Sequence, residues 1–88
     1  AAEIGLVNRA VAPERLREST EETARTIASK STATLAIGKR AFHRQREMPL
    51  SEAYDFASAV MVENMLARDA EEGIGAFIEK RPPRWQDR

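Results

Sequence analysis

Residues 51–67 place apolar side chains around most of a helix circumference, and no other stretch constrains the chain as much. Ala53, Phe56, Ala57, Val60, Met61 and Ala67 fall on one arc, with Tyr54 and Met65 at its edge and Val62 and Leu66 pointing away. A surface helix needs a single apolar stripe, so a helix apolar on several sides wants burial on more than one of them. A chain of 88 residues hides only about 60–65% of the surface its unfolded form exposes. The other short helices can cover only part of this one. The spare area predicts a partner: another domain, another subunit, or both.

The remaining periodicity is also helical. Pro13 suits a first turn, where its missing N–H has no helical partner anyway. Leu16, Thr20, Thr23, Ala24 and Ile27 then share a face, predicting a helix over 13–29. Ser31 is a good N-cap for a helix over about 32–47. On that helix Gly38 costs about 1 kcal/mol against alanine, which close approach by another backbone would explain. Ser51 is the expected cap of the third helix. Asp69 followed by Glu72 has the spacing of a capping box and opens a fourth, 70–80, ended by Pro82-Pro83. Upstream, residues 4–12 hold a short β-friendly stretch around Leu6, Val7 and Val11. One strand cannot stand alone, so this is an extended connector or pairs with chain not present. The fold expected is all-α: three to four helices behind a short N-terminal extended segment. No repeat or low-complexity segment interrupts it.

Composition removes several function classes. There is no cysteine, and His43 is the only histidine, so disulfides, thiolate chemistry and His-cluster metal sites are out. Lys+Arg and Asp+Glu are both 14, unlike the basic footprint of a nucleic-acid binder. No apolar run reaches the roughly 18–20 residues that span a bilayer. The first residues have neither the basic start nor the long apolar core of a signal peptide, and they include no initiator methionine. The expectation is an intracellular chain cut from something longer. Lys39, Arg40, Arg44 and Arg46 make a basic side on the second helix, read as a solvated face. His43 among them, with no nearby carboxylate to orient it, reads as a surface residue.

Three segments, in order, carry a resemblance. They are Ile4-Gly5-Leu6-Val7-Asn8-Arg9-Ala10-Val11; Ile27-Ala28-Ser29-Lys30-Ser31 leading to Ile37-Gly38-Lys39; and Arg68-Asp69-Ala70-Glu71-Glu72-Gly73-Ile74-Gly75-Ala76-Phe77-Ile78-Glu79-Lys80-Arg81-Pro82-Pro83, with Trp85 beyond. Together they resemble the end of enzymes of the enoyl-CoA hydratase/isomerase (crotonase) family. The first is similar to the family's GLVNRVV strand, and Ala1-Ala2-Glu3 to the stump of the helix before it. The match covers essentially the whole chain. One departure is Thr32, where the family often has proline; both residues suit a first helical turn.

The resemblance implies the C-terminal helical domain of a crotonase-like enzyme, packed on a larger core and helping to assemble trimers or hexamers. It implies residues 1–12 as the end of a core helix with its connecting segment, 13–81 as the helical domain and 82–88 as a tail. A coenzyme A thioester is the implied substrate of the parent enzyme, with no covalently bound cofactor. The oxyanion donors and acid/base residues lie upstream in such enzymes, so no catalytic residue is carried over. Phe77 and Lys80 match positions that contribute to the acyl-pantetheine pocket and meet the CoA nucleotide phosphates, and Met61 aligns with a pocket-lining position. An ammonium meets phosphate as a point charge, and a spacing of three puts Phe77 and Lys80 on one helix face. Plainer readings compete. Phe77 beside Ile74 and Ile78 fits a core residue, and Lys80 and Arg81 fit cations complementing a helix C-terminus. The other class of function is an independent helical module that binds a partner helix in an apolar groove. The resemblance places the parent in the cytoplasm, or the mitochondrial matrix in a eukaryote, and leaves self-association of the chain open.

Overall fold

The computed structural model describes residues 1–88 and contains four α-helices and no strand. Residues 2–5 form a turn in which the Gly5 amide donates to Ala2 O (3.1 Å) and the Leu6 amide to Ala1 O (3.0 Å). Gly5 has φ 78°, a left-handed value that glycine adopts without cost. The stretch from Leu6 to Ala12 has no helix or strand. A short 3-10 turn over Pro13–Arg15 then leads into α1, Leu16–Ala28. The helices α2 (Thr32–Gln45), α3 (Leu50–Met65) and α4 (Arg68–Glu79) follow.

Local chemistry explains some of these boundaries and corrects others. Ser31 caps α2 as expected, its hydroxyl accepting from the Thr34 amide at 3.3 Å. Ser51 does not cap α3: the helix begins one residue earlier, with Pro49 at the cap position and no side-chain cap. Asp69 and Glu72 do not form a capping box. The cap position of α4 is Ala67, so Asp69 lies inside the first turn with its carboxylate free for other partners.

The helices α2, α3 and α4 pack on one another, whereas α1 packs mainly on the 3-10 turn that precedes it. Between α2 and α3, Ile37 and Ala41 face Phe56 and Val60 across a cleft of about 230 Å³. The Arg44 guanidinium covers the Phe56 ring at 5.2 Å, and Thr34 Oγ1 donates to Asn64 Oδ1 at 3.3 Å. Beside α1, residues Asn8, Arg9 and Val11 face its apolar side across a groove of about 400 Å³. No other backbone approaches Gly38: a Cβ there would meet nothing within 4 Å.

This arrangement does not close a core. Only Ala76, Ser31 and Asp69 are buried. The radius of gyration is 16.6 Å, against about 12 Å for a compact domain of this length. The accessible surface is 7663 Å², roughly 2,500 Å² more than a folded monomer of this mass presents. Much of the surplus is apolar. On α3, Leu50, Tyr54, Met61 and Met65 form a stripe, each more than half exposed, while Ala53, Phe56 and Val60 turn inward. On α4, Ile74, Phe77 and Ile78 face out while Ala76 is buried behind them. Both helices therefore have one apolar face packed within the chain and another left open.

Candidate functional site

The residues singled out from sequence fall on two surfaces. Phe77 and Lys80 lie at the C-terminal end of α4, where Phe77 is 84% exposed. Its reading as a core residue of this chain is overturned. The ring belongs to the open face, beyond the reach of the three-helix packing. Lys80 does not continue the helix, so the spacing of three does not describe its relation to Phe77. It occupies the left-handed conformation at φ 55°, ψ 42° just past Glu79. The Arg81 amide reaches back to Ala76 O at 3.0 Å and the Lys80 amide to Phe77 O at 3.3 Å, which closes the helix end. Glycine usually takes this position; a lysine there costs about 1 kcal/mol or more in backbone strain. Met61 lies elsewhere, on an α2–α3 cleft of about 180 Å³ lined also by Ile37, Gly38 and Ala57. Neither Phe77 nor Lys80 lines that cleft.

Around Lys80 the chain is firmly held. The Arg81 guanidinium grips Glu72 with two bonds, Nη1 to Oε1 at 2.7 Å and Nη2 to Oε2 at 3.1 Å. Its Nε donates to Glu79 at 2.5 Å. Glu72 also accepts from the Arg84 amide at 2.8 Å. The bond from Arg81, then that from the Arg84 amide, holds the Glu72 carboxyl down to about 2, while desolvation opposes them. Arg81 is raised further above its ordinary value, chiefly by Glu72 and then by Glu79.

A second knot ties the tail to the starts of α2 and α4. The buried Asp69 carboxylate accepts from the Ser31 hydroxyl, from the Gln86 amide at 2.7 Å and from the Asp87 amide at 2.9 Å. Burial works against its charged form, yet the Ser31 hydroxyl and the tail amides keep its carboxyl below the ordinary value. The Asp69 amide donates to Arg88 O at 2.8 Å. Asp87 in turn accepts from the Thr32 amide at 2.8 Å. Trp85 is half-buried, its Nε1–H donating to Ser29 O at 2.7 Å. Its ring lies over Gly73, where a Cβ would come within 3.2 Å of it. Sequence reasoning found neither knot. Apart from Glu79 and Arg81, the partners lie 9 to 56 positions apart, and the Asp69–Glu72 spacing pointed to a local cap instead.

Other candidates are plainer. His43 is exposed, its ring edge-on to Phe42 at 5.5 Å. Lys39, Arg40 and Arg46 are exposed, and no carboxylate lies within ion-pair distance of them. No group of three His, Asp or Glu side chains is placed to hold a metal ion. No helix is long and apolar enough to cross a membrane.

The family model described as enoyl-CoA hydratase/isomerase matches residues 1–88. The chain belongs to that family. Among enoyl-CoA hydratase/isomerase relatives, the rat "Enoyl-CoA hydratase domain-containing protein 3, mitochondrial" is 44% identical over 81 residues, covering 92% of this chain and 27% of the relative. A carnitinyl-CoA dehydratase from Salmonella typhi is 33% identical over 88 residues, covering 96% of this chain and 34% of the relative. The crystal structure of an enoyl-CoA hydratase from Mycobacterium smegmatis superimposes with a TM-score of 0.91 at 44% identity, over 97% of this chain and 33% of that one. The chain thus spans about a third of the length of the family members it matches.

Proposed function

We propose that this chain is the C-terminal helical part of an acyl-CoA-processing enzyme, an enoyl-CoA hydratase, laid on a larger body that carries the reactive groups. One observation carries the reading: α3 and α4 each keep a second apolar face that nothing in the chain covers. The surplus of roughly 2,500 Å² is what one partner contributes to a large, permanent interface. A self-contained interaction module would close its own core before offering a groove, and this chain does not. The names of the relatives support the chemistry, since they are called hydratases and a dehydratase of CoA esters.

In this reading residues 1–12 connect to the larger body, 13–81 form the helical domain and 82–88 the tail. The open faces seat on that body and on neighbouring subunits of a trimer or hexamer. The chain supplies no catalytic group. Phe77 lines the acyl-pantetheine passage, Lys80 meets the nucleotide phosphates of the CoA thioester, and Met61 borders the pocket. No cofactor is bound covalently; the thioester is the substrate of the whole enzyme. The enzyme works in the cytoplasm, or in the mitochondrial matrix of a eukaryote; the rat relative is named mitochondrial.

Hydration of a short enoyl-CoA, followed by loss of the conjugated thioester absorbance, tests the assignment. The full-length protein should turn the substrate over and the isolated chain should not. Turnover by the isolated chain, or none by the full-length protein, would reject it.

A further inference from the structure

The last turn of α4 is built more tightly than a helix end requires. Lys80 stands in the left-handed region, where only a few per cent of non-glycine residues are found. A strained residue persists when its surroundings over-determine it, and such residues gather at ligand contacts. Here the surroundings converge on one carboxylate. Glu72 takes the two-pronged grip of Arg81 on one side of Pro82-Pro83 and the Arg84 amide on the other. The prolines fix the path between those two anchors. Arg81 also holds Glu79. Both chain neighbours of Lys80 are thereby pinned, and the reversal between them falls on Lys80 itself.

We propose that Glu72 is a positioning residue: through Arg81 and Arg84 it fixes the reversed backbone at Lys80, so that the lysine ammonium is presented to a phosphate group of the CoA thioester. This rests on the reading of Lys80 given above. A lysine stands where glycine would be unstrained because its side chain is needed from that one backbone geometry. Glu72 itself, with its carboxylate fully engaged, touches no ligand.

The test compares a CoA thioester with the matching pantetheine thioester, which lacks the nucleotide phosphates, in the full-length protein. The readout is the ratio of kcat/KM for the two substrates. A general loss of folding lowers both values and leaves the ratio in place. Lys80→Ala and Lys80→Gly should each lower the preference for the CoA ester about fivefold, the size of one exposed ion pair. Glu72→Gln should lower it in the same direction by about half that factor or more. An unchanged ratio in the Lys80 variants removes Lys80 from the site and with it the reading beneath. A reduced ratio in Lys80→Ala with an unchanged one in Glu72→Gln overturns the positioning role alone. Should Glu72→Gln not fold, Arg81→Lys keeps the cation, loses the fork and supports or rejects the role by the same comparison.

Discussion

At Glu72 one carboxylate closes a loop that two prolines hold open, and its titration reports whether the loop is closed. Its folded value of about 2 lies below the ordinary 4.5. A depressed carboxyl stabilises the closed form at full strength above the unfolded value, and that contribution is lost as pH falls toward the folded one. Here the window runs from 4.5 down to about 2. A carbon-13 NMR titration of the Glu72 carboxyl in the folded full-length protein should show a midpoint near 2, and one near the ordinary value would show an unclamped side chain. Lys80 gives a second residue-scale prediction. Glycine at a left-handed position avoids the Cβ clash, so Lys80→Gly should be more stable than Lys80→Ala by about 1 kcal/mol in denaturant melts. Equal stabilities would mean that the backbone there is not left-handed in solution. Of these features only the residue types were legible in the sequence. Glu72, Arg81 and Lys80 stood in a recognisable run, but positive φ and a nine-residue ion pair have no signature in periodicity or spacing. The Ser31 cap was legible because a cap depends on neighbours three residues away.

Elements were easier to read than their ends. All four helices lie within three residues of where apolar spacing put them, since a 3.6-residue period survives any context that buries one face. The caps of α3 and α4 misled, because a serine or aspartate near a helix start has other uses. Asp69 is the clearest case: its carboxylate organises the tail instead of its own helix. The tail, marked off in the sequence only as residues 82–88, is an ordered strap across the starts of α2 and α4. Its fastening can be loosened in two ways. Trp85→Phe removes the bond to Ser29 O and should cost the strap about 1 kcal/mol. Gly73→Ala puts a methyl against the Trp85 ring and should displace it. In the folded full-length protein both variants should speed hydrogen exchange at the Gln86 and Asp87 amides, with the helix amides of α3 unchanged. Protection that persists in both variants would show that the bonds of Asp69 and Asp87 hold the strap without Trp85.

For the molecule as a whole, the sequence signalled the right imbalance through α3 and understated its extent. Periodicity showed that α3 had too many apolar sides, but on α4 it left Phe77 between a core place and a pocket-lining one. Whether a face is covered depends on how helices are placed, and the placement leaves Ile74, Phe77 and Ile78 outside. At about 25 cal/mol per Å² of apolar area, even a third of the roughly 2,500 Å² surplus outweighs the margin of a domain this small. Without the larger body proposed for it, the chain should hide that area in copies of itself. Sedimentation of the isolated chain should show mass rising with concentration, together with binding of an apolar dye. Met65→Glu with Leu66→Glu places charge on two open positions of α3's end, 51% and 83% exposed, without touching the inward Phe56 and Val60. The double variant should shift the chain toward monomer while keeping its helical circular dichroism. If it associates as strongly as before, contact runs through another face, such as that of Phe77 and Ile78. A wild-type chain that stays monomeric at high concentration and binds no dye would mean that its helices close on themselves in solution, and the case for a missing body would fail with it.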